Sequence, residues 1–222
     1  MRGVVKYIVG KTYKPLLVKY LSSTRMYRYR NIVLTIPPQV FHPGFFFSTK
    51  LLLKYLNKFG LTDKHFLELG AGSGLISIYA SQQGAKVVAS DINTIAVQAL
   101  QNNAAVNNVQ MHILHSDLFA AIPQQAFDII SINPPYYKRK PVTDADYAWY
   151  CGEGGEYFQA LFKDLGNYIH SSSEVLMILC DGCDLEMIQS IAWRNSFQLN
   201  CVYSRNNLLE KNFIYKIAPI NA

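Results

Sequence analysis

Short apolar runs alternate with segments of helical apolar spacing from about residue 64 to the C-terminus. An uninterrupted apolar run such as VLMILC (175–180) is typical of a parallel strand that is covered on both faces. Strands that alternate with helices predict an α/β fold with a doubly wound sheet. The pattern predicts strands at 65–69, 86–90, 110–115, 127–132, 174–180, 197–203 and 211–219, and helices at 74–83, 94–107, 154–170 and 185–195.

The two ends of the chain differ from this middle part. The last two predicted strands follow each other without a helix, which predicts an antiparallel hairpin at one edge of a mostly parallel, seven-stranded sheet. Near the N-terminus, residues 32–36 form a short β-like run ended by two prolines, and a helix over 49–58 has Ser48 as its predicted N-cap. We therefore predict an N-terminal arm at 1–39 and a body at 40–222.

The composition indicates a folded cytoplasmic protein. Half of the 222 residues are apolar, which allows a large core. No apolar run approaches the roughly 20 residues of a membrane-spanning helix, and the N-terminus shows no signal-peptide pattern. Four cysteines in a chain of this length do not indicate a disulfide scaffold and fit a reducing compartment. We expect no association with a membrane.

The charges are unevenly distributed. Residues 1–62 carry 11 Lys and Arg and no acidic residue, whereas residues 63–222 carry 10 Lys and Arg against 15 Asp and Glu. A basic arm on a mildly acidic body predicts an anionic macromolecular partner, such as RNA, a ribosome-associated protein or DNA, bound through residues 1–62. Tyrosines between the basic residues suit stacking on bases. The alternative is a solvated basic surface with half-buried tyrosines.

A glycine-rich stretch, FLELGAGSGL (66–75), follows the first predicted strand of the body. Gly70, Gly72 and Gly74 allow a tight turn and let a ligand approach the main chain without a Cβ in the way. The following helix points its free N–H groups and the positive end of its dipole at such a ligand. Because ligands of open α/β sheets lie beyond the carboxyl ends of the strands, we predict a cofactor site here.

Carboxylates near this turn favour a cationic nucleoside over a dinucleotide. The dinucleotide fingerprint GxGxxG would need glycine where Leu75 stands. An acidic residue at the end of the second strand, as in the fingerprint, can bind ribose hydroxyls, and several carboxylates would repel a pyrophosphate. The candidates are Asp91 with Ile92 beside it for the ribose, Asp117 and the adjacent Leu118 for an adenine, and Glu68 for a cationic group.

This set of residues resembles the class I S-adenosylmethionine-dependent methyltransferases over about residues 40–218. The resemblance implies S-adenosyl-L-methionine as the cofactor and a Rossmann-like fold.

A second motif, Asn133-Pro134-Pro135-Tyr136, follows the fourth strand of the body. The prolines hold this stretch extended. The amide oxygen of Asn133 and the carbonyl of Pro134 are two acceptors, and Tyr136 offers a flat face. Together they fit a planar NH2 group, whose nitrogen they would orient towards an electrophilic methyl group. We expect these residues to be catalytic without forming a covalent bond to the substrate.

The NPPY motif is similar to that of amino-methyltransferases acting on adenine, guanine or a glutamine amide. Residues 41–49 (FHPGFFFST) and 151–158 (CGEGGEYF) further resemble the release-factor glutamine methyltransferases. This resemblance implies Phe46 and Thr49 as cofactor contacts, although a packing role suits them equally. The basic arm does not look like the helical N-terminal domain of the bacterial enzymes, which leaves protein glutamine and nucleic-acid bases open as acceptors.

Two other functions remain as alternatives: a catalytically inactive nucleic-acid-binding protein of this fold, and a nicotinamide-dependent oxidoreductase, which Leu75 and the paired prolines disfavour. We expect neither a metal nor a redox role for the CxxC at Cys180 and Cys183, which straddles a strand end and a turn and lacks a second pair at zinc-like spacing. Residues 138–152 are expected to lie over the substrate, with Lys138-Arg139-Lys140 binding a phosphate or an acidic patch, or simply solvated.

Overall fold

A computed structural model describes residues 19–207 and 210–220 of the chain. The strands are β1 (Arg25–Tyr29), β2 (Ile32–Ile36), β3 (His65–Leu69), β4 (Lys86–Asp91), β5 (His112–His115), β6 (Phe127–Ile132), β7 (Ile169–Cys180), β8 (Phe197–Asn206) and β9 (Lys211–Pro219). The helices are α1 (Phe47–Leu56), α2 (Leu75–Gln82), α3 (Thr94–Val106), α4 (Glu156–Asp164) and α5 (Leu185–Arg194), with short 3-10 helices at Asp144–Ala148 and Leu165–Tyr168.

Seven strands form one mixed sheet in the order β5-β4-β3-β6-β7-β9-β8. The first five are parallel, and β9 runs antiparallel to both of its neighbours. This confirms the predicted doubly wound sheet and its antiparallel edge hairpin. The strand order reverses between β3 and β6, so a crevice opens beyond their carboxyl ends, where ligands of such sheets bind.

Each face of the sheet is covered by its own hydrophobic cluster. Phe66 faces the cluster that contains residues of β2, α1, α2 and α3, whereas Leu67 and Leu69 face the cluster that contains residues of α4 and α5. The alternation follows from the two-residue period of a strand. Because both faces are covered, the strands are nearly continuous apolar runs, as the sequence indicated.

The β1–β2 hairpin packs against the body through buried Ile32, Leu34 and Ile36. The predicted strand at 32–36 is confirmed, but its pairing with β1 is not apparent in the sequence. Strand β2 belongs to the same hydrophobic cluster as α1 to α3. The predicted domain boundary at residue 39 stays a prediction, and the part of the predicted arm at residues 1–18 lies outside the described residues.

Asn103 of α3 and Asn107 at the C-cap of α3 pair with the free edge of β2. The side chain of Asn107 accepts from the Val33 N–H (2.9 Å) and donates to the Val33 carbonyl (2.7 Å). Asn103 makes the same pair with Thr35, at 2.8 and 3.1 Å, and donates to the Ser73 carbonyl as well (2.9 Å). Each amide side chain thus replaces a peptide unit of a neighbouring strand.

Some predicted boundaries were wrong. Helix α1 starts at Phe47 and has Phe46 as its N-cap, without a side-chain cap, so Ser48 lies inside the first turn. Residues 165–168 form a 3-10 helix rather than the end of α4, and β7 begins at Ile169, earlier than predicted. In the described residues no helix is long and apolar enough to span a membrane.

Candidate active site

A cleft encloses about 1300 Å³ of space, part of it open to solvent, at the carboxyl ends of β3 to β6. It brings together residues that are far apart in the sequence. The predicted site residues that line it are Phe46, Thr49, Glu68, Gly70, Gly72, Asp91, Ile92, Asp117, Leu118, Asn133, Pro134 and Tyr136. The glycine turn and the NPPY motif therefore share one crevice, as the sequence predicted.

The turn after β3 has a backbone shape that favours glycine, and it faces open space. Gly70 and Gly72 have φ angles of +70° and +55°, a region that other residues rarely adopt. A Cβ on Gly70 would meet no atom within 4 Å, so this backbone faces open space. The space gives a ligand room to approach the main chain. This cradle fits the cofactor predicted from the sequence.

Gly74 has a different role from the one predicted. It is the N-cap of α2 at φ +89°, and it does not line the cleft. A Cβ there would overlap the side chain of Leu100 in α3. Packing between α2 and α3, rather than contact with a ligand, explains this glycine.

Glu68 is buried beneath the glycine turn. One of its carboxyl oxygens accepts hydrogen bonds from the main-chain N–H of Ser77 (2.8 Å) and from the Ser77 hydroxyl. It thereby satisfies a free N–H group in the first turn of α2, because the N-cap residue, Gly74, has no side chain that could do so. Burial raises the pKa of Glu68 to about 8; the Ser77 hydrogen bonds oppose the shift, and Asp91 adds to it. A cation in the cleft would favour the ionised form.

Asp91 connects the end of β4 to the glycine turn. Its Oδ2 accepts from the Gly72 N–H (2.8 Å) and its Oδ1 from the Asn93 N–H (2.9 Å). Burial raises the pKa of Asp91, while these hydrogen bonds oppose the shift. Beside it, the Ile92 carbonyl lies 2.8 Å from the His115 Nε2 of β5. The carboxylate is thus held in one orientation at the cleft.

The loop after β5 has a defined shape. Leu118 adopts a left-handed φ of +46°. The Ser116 hydroxyl donates to the Leu118 carbonyl (2.9 Å) and accepts from the Ala121 N–H (2.9 Å). Asp117, between these residues, is exposed and lines the cleft. Its carboxylate is therefore accessible to a ligand.

The NPPY motif is supported from two sides. The Asn133 side-chain amide donates to the hydroxyl of buried Thr49 in α1 (3.4 Å). The main-chain N–H groups of Tyr136 and Tyr137 both donate to the Trp149 carbonyl, at 3.2 and 3.0 Å. With its NH2 engaged, Asn133 can present its amide oxygen as an acceptor.

Trp149 also belongs to an aromatic cluster that the sequence did not reveal. Its ring lies 5.1 Å from Phe46 and 5.6 Å from Phe41, and these two phenylalanines stack at 4.5 Å between ring centroids. All three line the cleft, so Phe46 packs against other aromatic rings and is also part of the cleft wall, while its contact with the cofactor stays a prediction. The run of aromatics at 41–47 was the available signal, but nothing local linked it to Trp149.

Residues 138–152 form one wall of the cleft, through the 3-10 helix at Asp144–Ala148 and Trp149. Lys138 makes an ion pair with Asp184, and the Arg139 guanidinium lies 5.0 Å above the Tyr150 ring. Phosphate binding by Lys138-Arg139-Lys140 stays a prediction, since two of the three side chains already have protein partners.

Apart from tyrosines, the ionisable side chains among the described residues that line the cleft are all acidic. They are Glu68, Asp91, Asp117, Asp144 and Glu210; no Lys, Arg or His is among the described lining residues. The sequence prediction had not included Glu210, which precedes β9 and whose Oε1 accepts from the Asn212 amide (3.1 Å). A cleft of this charge attracts cationic ligands and disfavours phosphate.

Comparison with known proteins gives a family and several relatives. The family model of the methyltransferase small domain matches residues 32–150. A putative protein N5-glutamine methyltransferase of Methanocaldococcus jannaschii is 35% identical over 153 residues, which cover 66% of this chain and 75% of that protein. A ribosomal protein L11 methyltransferase of Thermosipho africanus is 34% identical over 131 residues, covering 58% of this chain but only 50% of the relative.

The fold also resembles solved structures. The T. thermophilus 16S rRNA N2 methyltransferase, in complex with AdoMet and guanosine, superposes with a TM-score of 0.63 at 21% identity. The similarity covers 87% of this chain and 50% of that one.

Proposed function

The chain belongs to the methyltransferase small domain family, and on that premise we propose that it methylates the side-chain amide nitrogen of a glutamine in a protein. It is a methyltransferase with S-adenosyl-L-methionine as its cofactor, as the sequence predicted. The observation that carries the proposed acceptor is the Asn133 amide, held by Thr49, in a cleft lined with carboxylates.

Each part of the cofactor has a candidate partner in the cleft. S-adenosyl-L-methionine supplies an electrophilic methyl group on a positively charged sulfur. The open main chain at Gly70 and Gly72 would hold it closely, and Asp91 with Ile92 would bind the ribose. Asp117 and the adjacent Leu118 would meet the adenine. Glu68 would stabilise the cationic end, which favours its ionised form.

The acceptor amide would be held by the NPPY residues. The Asn133 Oδ1 and the Pro134 carbonyl would each accept one N–H of the glutamine side chain, and the Tyr136 ring would pack on its plane. An amide nitrogen is a poor nucleophile because its lone pair is delocalised. Holding both hydrogens on fixed acceptors aligns that nitrogen with the methyl group, which lowers the barrier through proximity and orientation.

Charge favours glutamine over a nucleic-acid base. The acidic lining of the cleft would repel the phosphates that accompany a base. The similarity to the M. jannaschii protein covers 75% of that protein's length. Its name, putative protein N5-glutamine methyltransferase, supports the same acceptor.

A base in RNA is the second candidate. The basic residues of 1–62 and the guanosine complex of the T. thermophilus protein favour it. The basic residues are also compatible with a glutamine acceptor, if residues 1–62 bind RNA or a ribosome-associated protein and so bring the enzyme to a protein substrate in the cytoplasm. We include this anionic partner in the proposal.

Incubation of the purified protein with methyl-labelled S-adenosyl-L-methionine and separated protein, RNA and DNA fractions tests the acceptor. We expect label in protein, released as N5-methylglutamine after enzymatic digestion. Label confined to RNA or DNA would overturn the glutamine assignment.

Asn133→Ala serves as the control for catalysis. It should abolish transfer and leave cofactor affinity, measured by calorimetry, within about twofold. RNA binding by the native protein without transfer to any fraction would instead support the inactive nucleic-acid-binding alternative.

A further inference from the structure

Cys180 and Cys183 lie on either side of a tight turn between β7 and α5. The Cys183 N–H donates to the Cys180 carbonyl (3.1 Å), and the two Sγ atoms are 3.8 Å apart. The Cys180 N–H points at the Cys183 sulfur (3.2 Å), and the Gly182 N–H at the Cys180 sulfur (3.4 Å). Residues at the two ends of such a turn are close enough for a disulfide after a small side-chain rotation.

The surroundings favour a thiolate on Cys180. The hydrogen bond from Cys183 lowers the pKa of Cys180, burial opposes the shift, and the Tyr136 hydroxyl contributes further stabilisation. The same pairing raises the pKa of Cys183. The pair therefore shares one proton, with the negative charge on Cys180. The other charged or titratable groups facing the pair are Glu210, Tyr137 and, from β9, Tyr215.

The other two cysteines are different. Cys151 is buried, and burial raises its pKa. Cys201 is exposed on β8, and its thiol points at the Tyr203 carbonyl (3.6 Å). Neither is part of a close sulfur pair among the described residues. Reactivity towards oxidants follows thiolate character, which distinguishes Cys180 from Cys151, and only Cys180 and Cys183 can form a disulfide with each other among the described residues.

We propose that Cys180 and Cys183 are an oxidative modification site whose substrate is a small hydroperoxide. The Cys180 thiolate attacks the peroxide oxygen, becomes a sulfenic acid and releases hydroxide, which takes up the proton of the pair. The Cys183 thiolate left by that proton transfer then attacks the Cys180 sulfur, the S–O bond breaks, and the hydroxide that leaves takes a proton from solvent to become a second water. In sum, the thiolate–thiol pair, one hydrogen peroxide and one solvent proton give one disulfide and two waters.

Tyr136 connects this proposal to the NPPY motif. Burial, and after it the Cys180 thiolate, raise the pKa of Tyr136, and the Tyr136 hydroxyl lowers the pKa of Cys180. A disulfide carries no charge, so oxidation would remove this mutual effect. The acceptor side of the cleft would respond to the redox state of the pair, while the cofactor side would not. The thiol chemistry itself does not depend on the identity of the methyl acceptor.

Mass spectrometry of the whole protein tests the first step. After limited hydrogen peroxide, we expect the mass to fall by two hydrogen atoms, Cys180 and Cys183 to resist alkylation, and dithiothreitol to reverse both effects. Cys183→Ser should instead accumulate a sulfenic acid at Cys180, trapped by dimedone, and Cys201→Ser should behave as the native protein does. Alkylation of both Cys180 and Cys183 at a peroxide dose that already oxidises Cys201 would overturn the proposal.

The pH dependence of the oxidation rate tests the coupling. The rate of disulfide formation should rise about tenfold per pH unit below the pKa of Cys180 and then level off. Tyr136→Phe removes a hydroxyl that stabilises the thiolate, so the profile should move to higher pH. Tyr147→Phe, which changes a cleft tyrosine that is not among the groups acting on Cys180, is the control. Equal profiles for the native protein and both variants would refute the link to Tyr136.

Discussion

The Asn133 side-chain amide donates to the Thr49 hydroxyl, 3.4 Å away and 84 positions earlier in the chain. This contact joins the first helix of the body to the predicted catalytic motif. Thr49 was predicted to touch the cofactor, a role that stays a prediction. Its observed partner makes it a positioning residue for Asn133.

Thr49→Val should therefore slow methyl transfer without weakening cofactor binding. Valine preserves the volume but removes the acceptor, so the Asn133 amide loses its fixed orientation. Loss of one hydrogen bond of about 1 kcal/mol corresponds to a rate lower by roughly five- to tenfold.

Initial rates of label incorporation and calorimetry with S-adenosylhomocysteine would measure the two effects separately. Thr49→Ser retains the hydroxyl and should recover most of the rate. Weaker cofactor binding in the valine variant would instead support the original prediction for Thr49.

Gly74→Ala should destabilise the protein strongly. The new methyl group would overlap Leu100, and alanine at φ +89° is strained in addition. We expect a loss of about 2–3 kcal/mol in the free energy of unfolding, measured with urea. Gly60→Ala is the matched control, because a Cβ there would meet no atom within 4 Å. Equal stability of both variants would contradict the packing role.

Asn103→Ala should weaken the attachment of the hairpin. It leaves the N–H and carbonyl of Thr35 and the Ser73 carbonyl without their side-chain partner. Unfolding should become easier by about 2–4 kcal/mol, and the Thr35 amide should exchange its hydrogen faster. Asn102→Ala, at an exposed position of the same helix, should change neither quantity.

The stability of the protein should decrease as the pH rises from about 5 to 8. Glu68 has a pKa of about 8 in the folded protein against 4.5 for a free side chain, so in this range the unfolded state has lost a proton that the folded state keeps. Folding then requires proton uptake, which costs up to about 1.4 kcal/mol per pH unit. Below about pH 4.5, the pKa of Glu68 in the unfolded chain, this penalty disappears because both states are protonated.

Glu68→Gln should flatten this dependence, because glutamine does not titrate and its amide oxygen can still accept from Ser77. Urea titrations at several pH values would measure the slope in both proteins. A slope that the substitution leaves unaltered would show that other groups cause it.

The doubly wound sheet with its antiparallel edge hairpin and the shared cleft could be predicted because their signals are local. Continuous apolar runs mark the strands, and glycine and proline mark the turns that bear the site. The roles of individual residues were harder to predict from the sequence. Gly74 looked like a ligand contact within its motif, whereas its neighbour Leu100, on another helix, decides its role.

The features that the sequence did not reveal arise between distant segments. Strand β1, RMYRY, contains two arginines in five residues and has only one partly covered face, so its apolar signal is weak. The contacts of Trp149 with Phe46 and the position of Glu210 at the cleft depend on how loops meet. The sequence analysis expected neither a metal nor a redox role for the CxxC, because the short distance between its two sulfur atoms became visible only in the fold.

The asparagine pairs on β2 have one more consequence. A strand with unpaired main-chain groups can recruit a strand from another molecule and start edge-to-edge aggregation. Here the outer edge of the hairpin is already occupied at Val33 and Thr35 by amides from a helix. The side chains of Asn103 and Asn107 thus protect the protein from self-association along this edge. In other sheets, a further strand or a charged residue at the edge provides this protection.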